Sequence, residues 1–234
     1  MAVERLAERF ATSEVTIRKD LAALESSGLL LRRYGGAVLL PQDMISDPTI
    51  SKVSIRKQNI AKAAAELIRD HNRIIIDSGS ATTALLLPEL SQKQGLVVMT
   101  NSLNVANALR ELENEPTLLM TGGTWDPKSE GFQGQLAEQV LRSYNFDQLF
   151  IGADGLDLAR GTTTFNELYS LSRVMAEVAR EVIVMAESEK IGRKIHNLEL
   201  PWSSVQILVT DQDISPEATA ALQALGVQVI CAQA

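Results

Sequence analysis

Residues 12–36 read Thr-Ser-Glu-Val-Thr-Ile-Arg-Lys-Asp-Leu-Ala-Ala-Leu-Glu-Ser-Ser-Gly-Leu-Leu-Leu-Arg-Arg-Tyr-Gly-Gly. Ser13 favours a helix that begins just after it, since its hydroxyl can accept a hydrogen bond from an unpaired amide of the first turn. Three apolar residues follow at helical spacing and predict one buried face: Ile17, Leu21 and Leu24. We expect the helix to end at Gly28, because glycine adopts the left-handed conformation common after a last turn.

The polar residues of this stretch are spaced as a DNA-reading helix and wing would place them. Residues in the early turns project away from the apolar face, as a recognition helix does in a major groove. After the helix, residues 29–38 predict a short pair of strands that carries basic side chains. The side chains predicted to contact DNA are Ser13, Thr16, Arg18, Lys19, Arg32, Arg33 and Tyr34. The stretch therefore predicts a winged helix-turn-helix.

The same segment resembles the DNA-binding domain of the DeoR family of bacterial sugar-metabolism repressors. The match is ungapped over residues 3–10 (Val-Glu-Arg-Leu-Ala-Glu-Arg-Phe), 13–24 and 31–37 (Leu-Arg-Arg-Tyr-Gly-Gly-Ala). The alternative is an amphipathic helix with a solvated basic face. The resemblance implies binding to double-stranded operator DNA. It also implies at least a dimer, because one winged helix buries too little surface for tight specificity.

One departure from the family pattern lies at the start of the chain. Family members usually carry about one more helix before the segment that begins here at Met1, and it completes a three-helix core. Without that helix, some apolar side chains would lose cover, at roughly 25 cal/mol per Å² exposed: Leu6, Phe10, Ile17 and Leu21. We therefore expect either a misassigned or truncated start or weak DNA binding. A further alternative is a sensor remnant that forms mixed oligomers with a full-length relative.

The charge of the chain is unevenly distributed. The net charge is −7, but residues 1–40 hold six Lys or Arg and five Asp or Glu, which gives +1, and the rest gives −8. Affinity for nucleic acid depends on a local basic surface rather than on the charge of the whole chain. This split supports a DNA-binding domain at 1–40, a polar, proline-containing linker at 41–52 and a second domain at 53–234.

Composition argues against several classes of site. Cys231 is the single cysteine, which excludes an intrachain disulfide and a cysteine-based zinc site, and His71 and His196 lack ligand spacing. We expect no metal and no cofactor. The apolar runs are too short to span a bilayer and no signal peptide is recognisable, so the sequence predicts a soluble cytoplasmic protein.

In the second domain, short apolar runs alternate with helical ones. The predicted strands are 73–77, 96–100, 117–121, 148–151, 181–186, 205–210 and 227–230. The predicted helices are 53–70, 83–90, 103–112, 135–144, 166–179 and 216–225. Nearly continuous apolar strands separated by helices indicate a Rossmann-like parallel α/β sheet covered on both faces.

The loops that follow these strands are rich in hydroxyls, glycines, carboxylates and a lysine. Ligands of parallel sheets bind beyond the carboxyl ends of the strands, and free amides at a strand-to-helix turn can surround an oxyanion. The segments in question are 77–83, 100–102, 121–124, 152–155, 162–167 and 187–193. Each alone is an ordinary turn or cap, but together they favour a phosphorylated, polyhydroxylated ligand.

This domain also resembles the DeoR family, whose sensor domain is related in fold to ribose-5-phosphate isomerase and glucosamine-6-phosphate deaminase. The resemblance implies that the 77–83 loop and Lys190 hold a phosphate, while residues of the other loops line the sugar. The predicted ligand-binding residues are Asp77, Ser78, Gly79, Ser80, Thr82, Asn101, Gly122, Gly123, Asp154, Gly155, Glu167 and Lys190. The family's usual Asp-Ser-Gly-Thr-Thr pattern appears here as Asp-Ser-Gly-Ser-Ala-Thr over residues 77–82, which leaves open which hydroxyl contacts phosphate.

Two functions remain open from the sequence. The first is a transcriptional repressor controlled by a sugar phosphate, with glucosamine 6-phosphate as the first candidate and a hexose or hexitol phosphate close behind. The alternative is a sugar-phosphate isomerase or deaminase, in which carboxylates and a lysine transfer protons: Asp77, Asp154, Glu167 and Lys190. The attached DNA-reading domain favours the repressor, with no catalytic residue. The 125–135 loop is a candidate pocket cover or subunit contact, or an ordinary surface loop.

Overall fold

The computed structural model describes residues 3–26, 30–33, 36–39, 55–78, 86–167, 169–193 and 195–233. Contacts between backbone segments divide the chain into two compact units, Met1–Lys52 and Val53–Ala234. Within the described residues, no helix combines the length and the apolar character needed to cross a bilayer. The predicted end of the recognition helix at Gly28 lies outside the described residues.

The first unit is a helix-turn-helix followed by a β-hairpin. Helix α1 (Val3–Arg9) and helix α2 (Glu14–Ser26) are joined by a turn in which Ala11 has a positive φ of 49°. The Oγ of Ser13 accepts from the amide of Thr16 at 3.1 Å, which confirms the predicted cap. Strands β1 (Leu30–Arg33) and β2 (Gly36–Leu39) pair antiparallel to form the wing.

The small core of this unit comes from the two helices. Val3, Leu6, Ile17 and Leu21 are buried together. Leu6, Ile17 and Leu21 are thus buried, whereas Phe10, the fourth apolar residue expected to lose cover, is 64% exposed. It lies just beyond the last residue of α1, where the chain turns away from the α1–α2 contact.

The second unit is built on a seven-stranded sheet in which every pairing is parallel. Its strands are β3 (Arg73–Ile76), β4 (Val97–Thr100), β5 (Thr117–Met120), β8 (Phe146–Ile151), β11 (Ala179–Met185), β13 (Ile207–Thr210) and β14 (Gln228–Cys231). Their spatial order is β14-β13-β11-β8-β3-β4-β5. All seven lie within a few residues of the apolar runs that predicted them, so the predicted parallel α/β sheet is confirmed.

Helices cover both faces of this sheet because successive strand residues point to opposite sides. Ile75 of β3 belongs to one apolar cluster, whereas Ile74 and Ile76 belong to the other. One face is covered by α3 (Ile55–Ala65), α4 (Leu87–Leu90) and α5 (Leu103–Arg110). The opposite face is covered by α6 (Gln135–Arg142), α7 (Ser170–Val178) and α8 (Pro216–Ala224).

The strand order reverses between β3 and β8. From β3 the chain adds β4 and then β5 on one side, and later adds β8, β11, β13 and β14 on the other. Connections that leave the sheet in opposite directions open a crevice at the carboxyl ends of the two strands where the order changes. The loops after β3 and β8 therefore flank the natural binding position of this fold.

Several short strands were not predicted. A three-stranded antiparallel sheet consists of β9 (Gly155–Asp157), β10 (Gly161–Thr164) and β12 (Asn197–Pro201), in the order β12-β10-β9. The interpretation of 162–167 as a loop is thus wrong over its first half. The predicted helix 166–179 begins later, at Ser170. These strands are rich in glycine, threonine and polar residues, so they lack the apolar runs that marked the large sheet.

The 125–135 segment also has more structure than a loop. Strands β6 (Thr124–Asp126) and β7 (Gly131–Gln133) pair antiparallel, with Thr124 opposite Gln133 and Asp126 opposite Gly131. Asp126 stabilises the tight turn between them, because its carboxylate accepts from the amides of Lys128 and Ser129, each at 3.2 Å. We call residues 124–133 the β6–β7 hairpin.

Candidate functional site

The outward face of helix α2 is the candidate nucleic-acid surface of the first unit. Thr16, Arg18 and Lys19 are all exposed, as predicted from their helical positions. Three of the residues predicted to contact DNA also make contacts within this segment. The Oγ of Ser13 lies 2.8 Å from the Oγ1 of Thr16, and Arg18 pairs with Glu14 at 2.7 Å.

Val15 shares this outward face and was missed by sequence reasoning. Its side chain is 73% exposed, and it precedes Lys19 by one helical turn. An exposed aliphatic side chain early in a recognition helix can contact the methyl group of a thymine. The signal was present in the sequence, because Val15 lies opposite the buried face of Ile17 and Leu21.

The wing carries two of the predicted DNA-contacting residues among those that the structure describes. Arg32 and Arg33 lie on β1, opposite Ala37 and Gly36 of β2, so both basic residues sit on the hairpin as predicted. Tyr34 lies outside the described residues.

In the second unit, the loop after β3 is held by the loop after β4. The Oδ1 of Asn101 accepts from the amide of Ser78 at 2.9 Å, and the Nδ2 of Asn101 donates to the Oγ of Ser78 at 3.0 Å. Both residues are buried. The structure therefore brings these two predicted ligand-binding residues into direct contact, whereas Gly79, Ser80 and Thr82 lie outside the described residues.

The β6–β7 hairpin packs against this contact. The amide of Phe132 donates to the carbonyl oxygen of Asn101 at 2.7 Å, and Gly131 pairs with Ser102 in an isolated bridge. A side chain at Gly131 would run directly into Ser78, so the close approach requires glycine. The hairpin is thus tied to the edge of the sheet at the candidate site.

Gly122 and Gly123, which connect β5 to the hairpin, both have positive φ, 62° and 111°. A Cβ atom at Gly123 would lie 2.5 Å from the carbonyl oxygen of Gln133, whereas one at Gly122 would meet nothing within 4 Å. Gly123 is therefore needed for packing, and Gly122 remains the more available of the two to a ligand.

The loop after β8 supplies a well-ordered carboxylate. Asp154 accepts from the Oγ1 of Thr164 at 2.8 Å and from the amide of Phe165 at 2.9 Å. Gly155 starts β9 and is buried against Thr163 and Ile195, so it packs in the small sheet rather than lining open space.

Lys190 lies in a short 3₁₀ helix after β11 and is 6% exposed. Its Nζ donates to the carbonyl oxygen of Ala153 at 2.7 Å, which bridges the loops after β8 and β11. Lys190 therefore brings a cationic amine to the crevice side of β8.

Glu167 lies on the surface, unlike the other predicted ligand-binding residues of the second unit that the structure describes.

A buried glutamate that the sequence did not single out lies beside these groups. Glu199 of β12 is 7% exposed. Its carboxyl group accepts from Ser172 at 2.9 Å and from Thr162 at 3.4 Å. Burial raises the pKa of Glu199 to about 8, and the carboxylates of Asp77 and Asp154 contribute to the increase. No sequence motif marks it, because it alternates with leucines in a strand that was not predicted.

The pKa of Asp77 is also raised. Burial of its carboxyl group raises the pKa of Asp77 to about 7, and Asp154 adds to the increase, while hydrogen bonds from Ser78 and Asn101 oppose it. Asp77, Asp154 and Glu199 thus form an interacting group of carboxyls at the crevice. Part of Asp77 remains accessible to solvent, unlike Glu199.

These groups suit a polar organic ligand. Carboxylates accept from hydroxyls or amines, while Lys190 and loop amides favour an anion such as phosphate. Over the parts of the chain that the structure describes, no three side chains of His, Cys, Asp or Glu are arranged to hold a metal ion.

Two family profiles match this chain. The one described as the DeoR-like helix-turn-helix domain matches residues 1–43. The one described as the DeoR C terminal sensor domain matches residues 53–212. The two matches fall in the first and second compact units, respectively.

Full-length relatives show the same likeness. A protein of Escherichia coli O157:H7, named for a proposed role as the aga operon transcriptional repressor, is 40% identical over 235 residues, 97% of this chain and 86% of that protein. The transcriptional repressor AccR of Agrobacterium fabrum is 32% identical over 217 residues, 90% of this chain and 83% of that protein. Ribose 5-phosphate isomerase A of Methanocaldococcus jannaschii aligns with 59% of this chain and 54% of its own, at 20% identity and a TM-score of 0.42.

Proposed function

This chain belongs to the DeoR family of transcriptional regulators, and from that premise we propose that it is a repressor whose operator binding is controlled by a phosphorylated sugar. Family membership itself makes the chain a transcriptional regulator with a DNA-binding domain and a sensor domain. The proposal adds the effector, its site and the residues that contact DNA. It assigns residues 1–40 to DNA, 41–52 to a linker and 53–234 to the sensor.

The observation that carries the sensor proposal is the meeting of polar groups where the strand order reverses. Asn101 fixes the start of the loop after β3, and Lys190 bridges the loops after β8 and β11. In parallel sheets this crevice is the usual ligand position. We assign the phosphate to the loop that begins at Asp77 and to Lys190, and the sugar to Asn101, Gly122 and Asp154.

On the DNA side, the exposed face of α2 supports a conventional division of roles. Thr16 and Val15 would contact base edges, Arg18 and Lys19 would reach bases or phosphates, and the wing arginines would contact backbone phosphates. Phosphate contacts position a protein on DNA, whereas base contacts specify sequence. The small surface of one such domain favours at least a dimer, which we assign to the sensor domains.

The choice of effector rests on the resemblance of the sensor domain to amino-sugar and hexitol-phosphate regulators, and the chemistry of the site is compatible with it. The carboxyl group of Asp154 offers an acceptor for sugar hydroxyls or for an amino group. Glucosamine 6-phosphate is our first candidate, and a hexose or hexitol phosphate is the next.

Thermal unfolding tests the sensor directly. Purified protein is melted with glucosamine 6-phosphate, glucose 6-phosphate, sorbitol 6-phosphate and the matching unphosphorylated sugars. A ligand at about a hundred times its dissociation constant stabilises the folded state by about 2.7 kcal/mol, which shifts the melting curve clearly. Stabilisation by a phosphorylated sugar but not by its parent would support the proposal, and the absence of any shift would refute the sensor site.

Selection of operator sequences tests the DNA-binding part of the proposal. Double-stranded DNA selected from a random pool by the full chain should yield a common sequence, and the stabilising sugar phosphate should weaken that complex. Recovery of unrelated sequences, or complexes indifferent to every sugar phosphate, would contradict the repressor model.

One observation favours a second candidate, a sugar-phosphate isomerase or deaminase. The pKa of Asp77 is raised to about 7, close to the optimum for a general base at neutral pH. A binding fold does not by itself establish catalysis, however, and the named relatives above are transcriptional repressors. Incubation of the effector with stoichiometric protein, followed by NMR of the sugar, decides between them: an unchanged sugar excludes turnover, and conversion establishes an enzyme.

A further inference from the structure

Gln133, at the end of the β6–β7 hairpin, has an unused acceptor beside the candidate site. The residue is 7% exposed, and its Oε1 is buried without a hydrogen-bond partner among the residues that the structure describes. A buried polar atom without a partner destabilises the folded state, so such groups are rare in native proteins.

The direction of the side chain follows from its strand. Residues two apart on a strand face the same way, so Gln133 shares a face with Gly131. That face meets the site, because a Cβ atom built on Gly131 runs into Ser78. The backbone of Gln133 also lies against Gly123: a Cβ atom built on Gly123 would be 2.5 Å from the backbone carbonyl oxygen of Gln133. Gln133 therefore lies on the hairpin face that meets Ser78 and Asn101, and its backbone makes the close approach to Gly123.

The hairpin fixes which end of the carboxamide is free. The Nε2 of Gln133 donates to the Oγ of Ser129 at 3.4 Å, and that hydroxyl donates to Asp126 at 2.7 Å. This chain of hydrogen bonds occupies the amide nitrogen and leaves the carbonyl end, Oε1, as the open group. An acceptor without a partner can be satisfied by a hydroxyl or an ammonium group, but not by a phosphate oxygen.

We infer that Gln133 determines sugar specificity: its Oε1 accepts a hydrogen bond from one hydroxyl or amino group of the effector. The inference rests on the proposed function and adds a residue on the sugar side of the same site. Because Oε1 is shielded from solvent, a donor must shift the packing around the hairpin to reach it. We expect the hairpin to take part in this shift; it carries Trp125 in edge contact with Phe132 at 5.6 Å between ring centroids.

The first test replaces the acceptor with an apolar side chain of similar length, Gln133→Met. Calorimetric titrations use glucosamine 6-phosphate, glucose 6-phosphate, sorbitol 6-phosphate and inorganic phosphate. For the sugar phosphate that binds wild type best, we expect an affinity loss of about 10- to 100-fold, because a donor on the ligand is left unpaired. Binding of inorganic phosphate should change less than about twofold, since we assign the phosphate to Lys190 and to the loop that begins at Asp77.

The matched control is Gln139→Met, which changes an exposed glutamine on α6 and should leave every affinity unaltered. Equal binding of the sugar phosphate by wild type and Gln133→Met would overturn the inference while leaving the proposed function intact. If wild type binds none of the sugar phosphates, both fall together.

A second test alters the ligand and leaves the protein intact. 2-Deoxyglucose 6-phosphate and 1,5-anhydroglucitol 6-phosphate each lack one donor. Loss of the donor that meets Gln133 should cost wild type about tenfold but cost Gln133→Met little, as in a double-mutant cycle. The 3-deoxy and 4-deoxy analogues of glucose 6-phosphate complete the series, and if no deletion distinguishes the two proteins, Gln133 makes no such contact. Trp125 fluorescence should change on binding and lose that change in Trp125→Phe; an unaltered signal from wild type would contradict the hairpin movement.

Discussion

Asn101 holds Ser78 with both ends of its carboxamide, accepting from the Ser78 amide at 2.9 Å and donating to the Ser78 hydroxyl at 3.0 Å. The two residues follow neighbouring parallel strands, β3 and β4. Their contact fixes Ser78, at the start of the loop assigned to phosphate, by interactions within the protein itself. Such preorganisation lowers the ordering cost that binding would otherwise carry.

Asn101→Ala should therefore lower both stability and effector affinity. It removes the two hydrogen bonds to Ser78 and leaves buried polar groups without partners, for an expected loss of about 3 kcal/mol in the free energy of unfolding. Asn104→Ala is the control, because Asn104 is exposed and contacts Glu130 at 3.3 Å. Urea titration compares the two variants; equal losses would mean that the Ser78 contact contributes no special stability.

Glu199→Gln should change how stability depends on pH. The pKa of Glu199 is raised from 4.5 to about 8, so the folded chain holds its proton more tightly than the unfolded chain does. The free energy of unfolding must then fall as the pH rises between these values. A glutamine side chain cannot lose a proton, so the variant should be more stable than wild type near about pH 9, by on the order of a few kcal/mol, and similar near about pH 4.

Urea unfolding across this pH range measures the difference. Glu177→Gln serves as the control, since Glu177 is exposed and pairs with Arg142 at 3.5 Å. A wild type and a Glu199→Gln variant with parallel pH profiles would show that Glu199 ionises normally in the folded chain.

Gly123→Ala and Gly122→Ala should differ in stability. Both positions have positive φ, which costs alanine roughly 1 kcal/mol. At Gly123 the new methyl group would also lie 2.5 Å from a backbone oxygen of Gln133, whereas at Gly122 it would meet open space. Thermal unfolding should rank Gly123→Ala as the less stable variant; the reverse order would mean that the hairpin yields easily at Gln133.

Lys190→Met should abolish most of the response to a sugar phosphate. The substitution removes the amine that we assign to phosphate, and hydrogen bonds to charged groups contribute about 1.5–3 kcal/mol. We expect affinity to fall by about 10- to 100-fold, while DNA binding without effector is retained. Lys93→Met is a matched control, because the Nζ of Lys93 also donates to a backbone oxygen, Ile68, at 2.7 Å.

The Lys190 measurement is a calorimetric titration with the sugar phosphate that stabilises wild type. If Lys190→Met and Lys93→Met lose affinity equally, the loss reflects stability rather than phosphate contact, and the assignment of Lys190 is wrong.

Lys19→Ala and Val15→Ser should separate phosphate contact from base contact on α2. Lys19→Ala should weaken binding to all DNA sequences and reduce the slope of log affinity against log salt by about 0.9. Val15→Ser should weaken binding to the selected operator by about 1–3 kcal/mol while leaving the salt slope unchanged. Fluorescence anisotropy at several salt concentrations distinguishes them; identical salt slopes for wild type and Lys19→Ala would remove Lys19 from the phosphate contacts.

The large sheet was predictable from the sequence because buried parallel strands are short apolar runs. The apolar runs at 73–77 and 181–186 correspond to strands β3 and β11. The segments that follow these strands contain Asp77 and Lys190, respectively. The α2 cap at Ser13 was equally legible, since a serine before an apolar periodic segment has a known backbone role.

The small sheet and the hairpin were not predictable in the same way. Strand β10 consists of Gly161 and three threonines, and β7 contains Gly131, so neither carries a hydrophobic pattern. Both are stabilised by tertiary contacts that no local pattern encodes. In the small sheet, for example, the indole of Trp202 donates to the backbone carbonyl oxygen of Asp157 at 2.8 Å. The importance of Glu199 and Gln133 depends on these elements and was therefore hidden.

The attachment of the β6–β7 hairpin also bears on how such proteins diversify. The hairpin meets the loop after β4 through the backbone of Phe132 and through Gly131, and the Glu130 side chain adds one exposed contact with Asn104, so most of its side chains are not needed for docking. Mutations there can accumulate without disturbing the sheet or the phosphate loop. We therefore expect a descendant of this chain to acquire a new inducer by altering residues of the β6–β7 hairpin other than Gly131, while it inherits its scaffold and its operator unchanged.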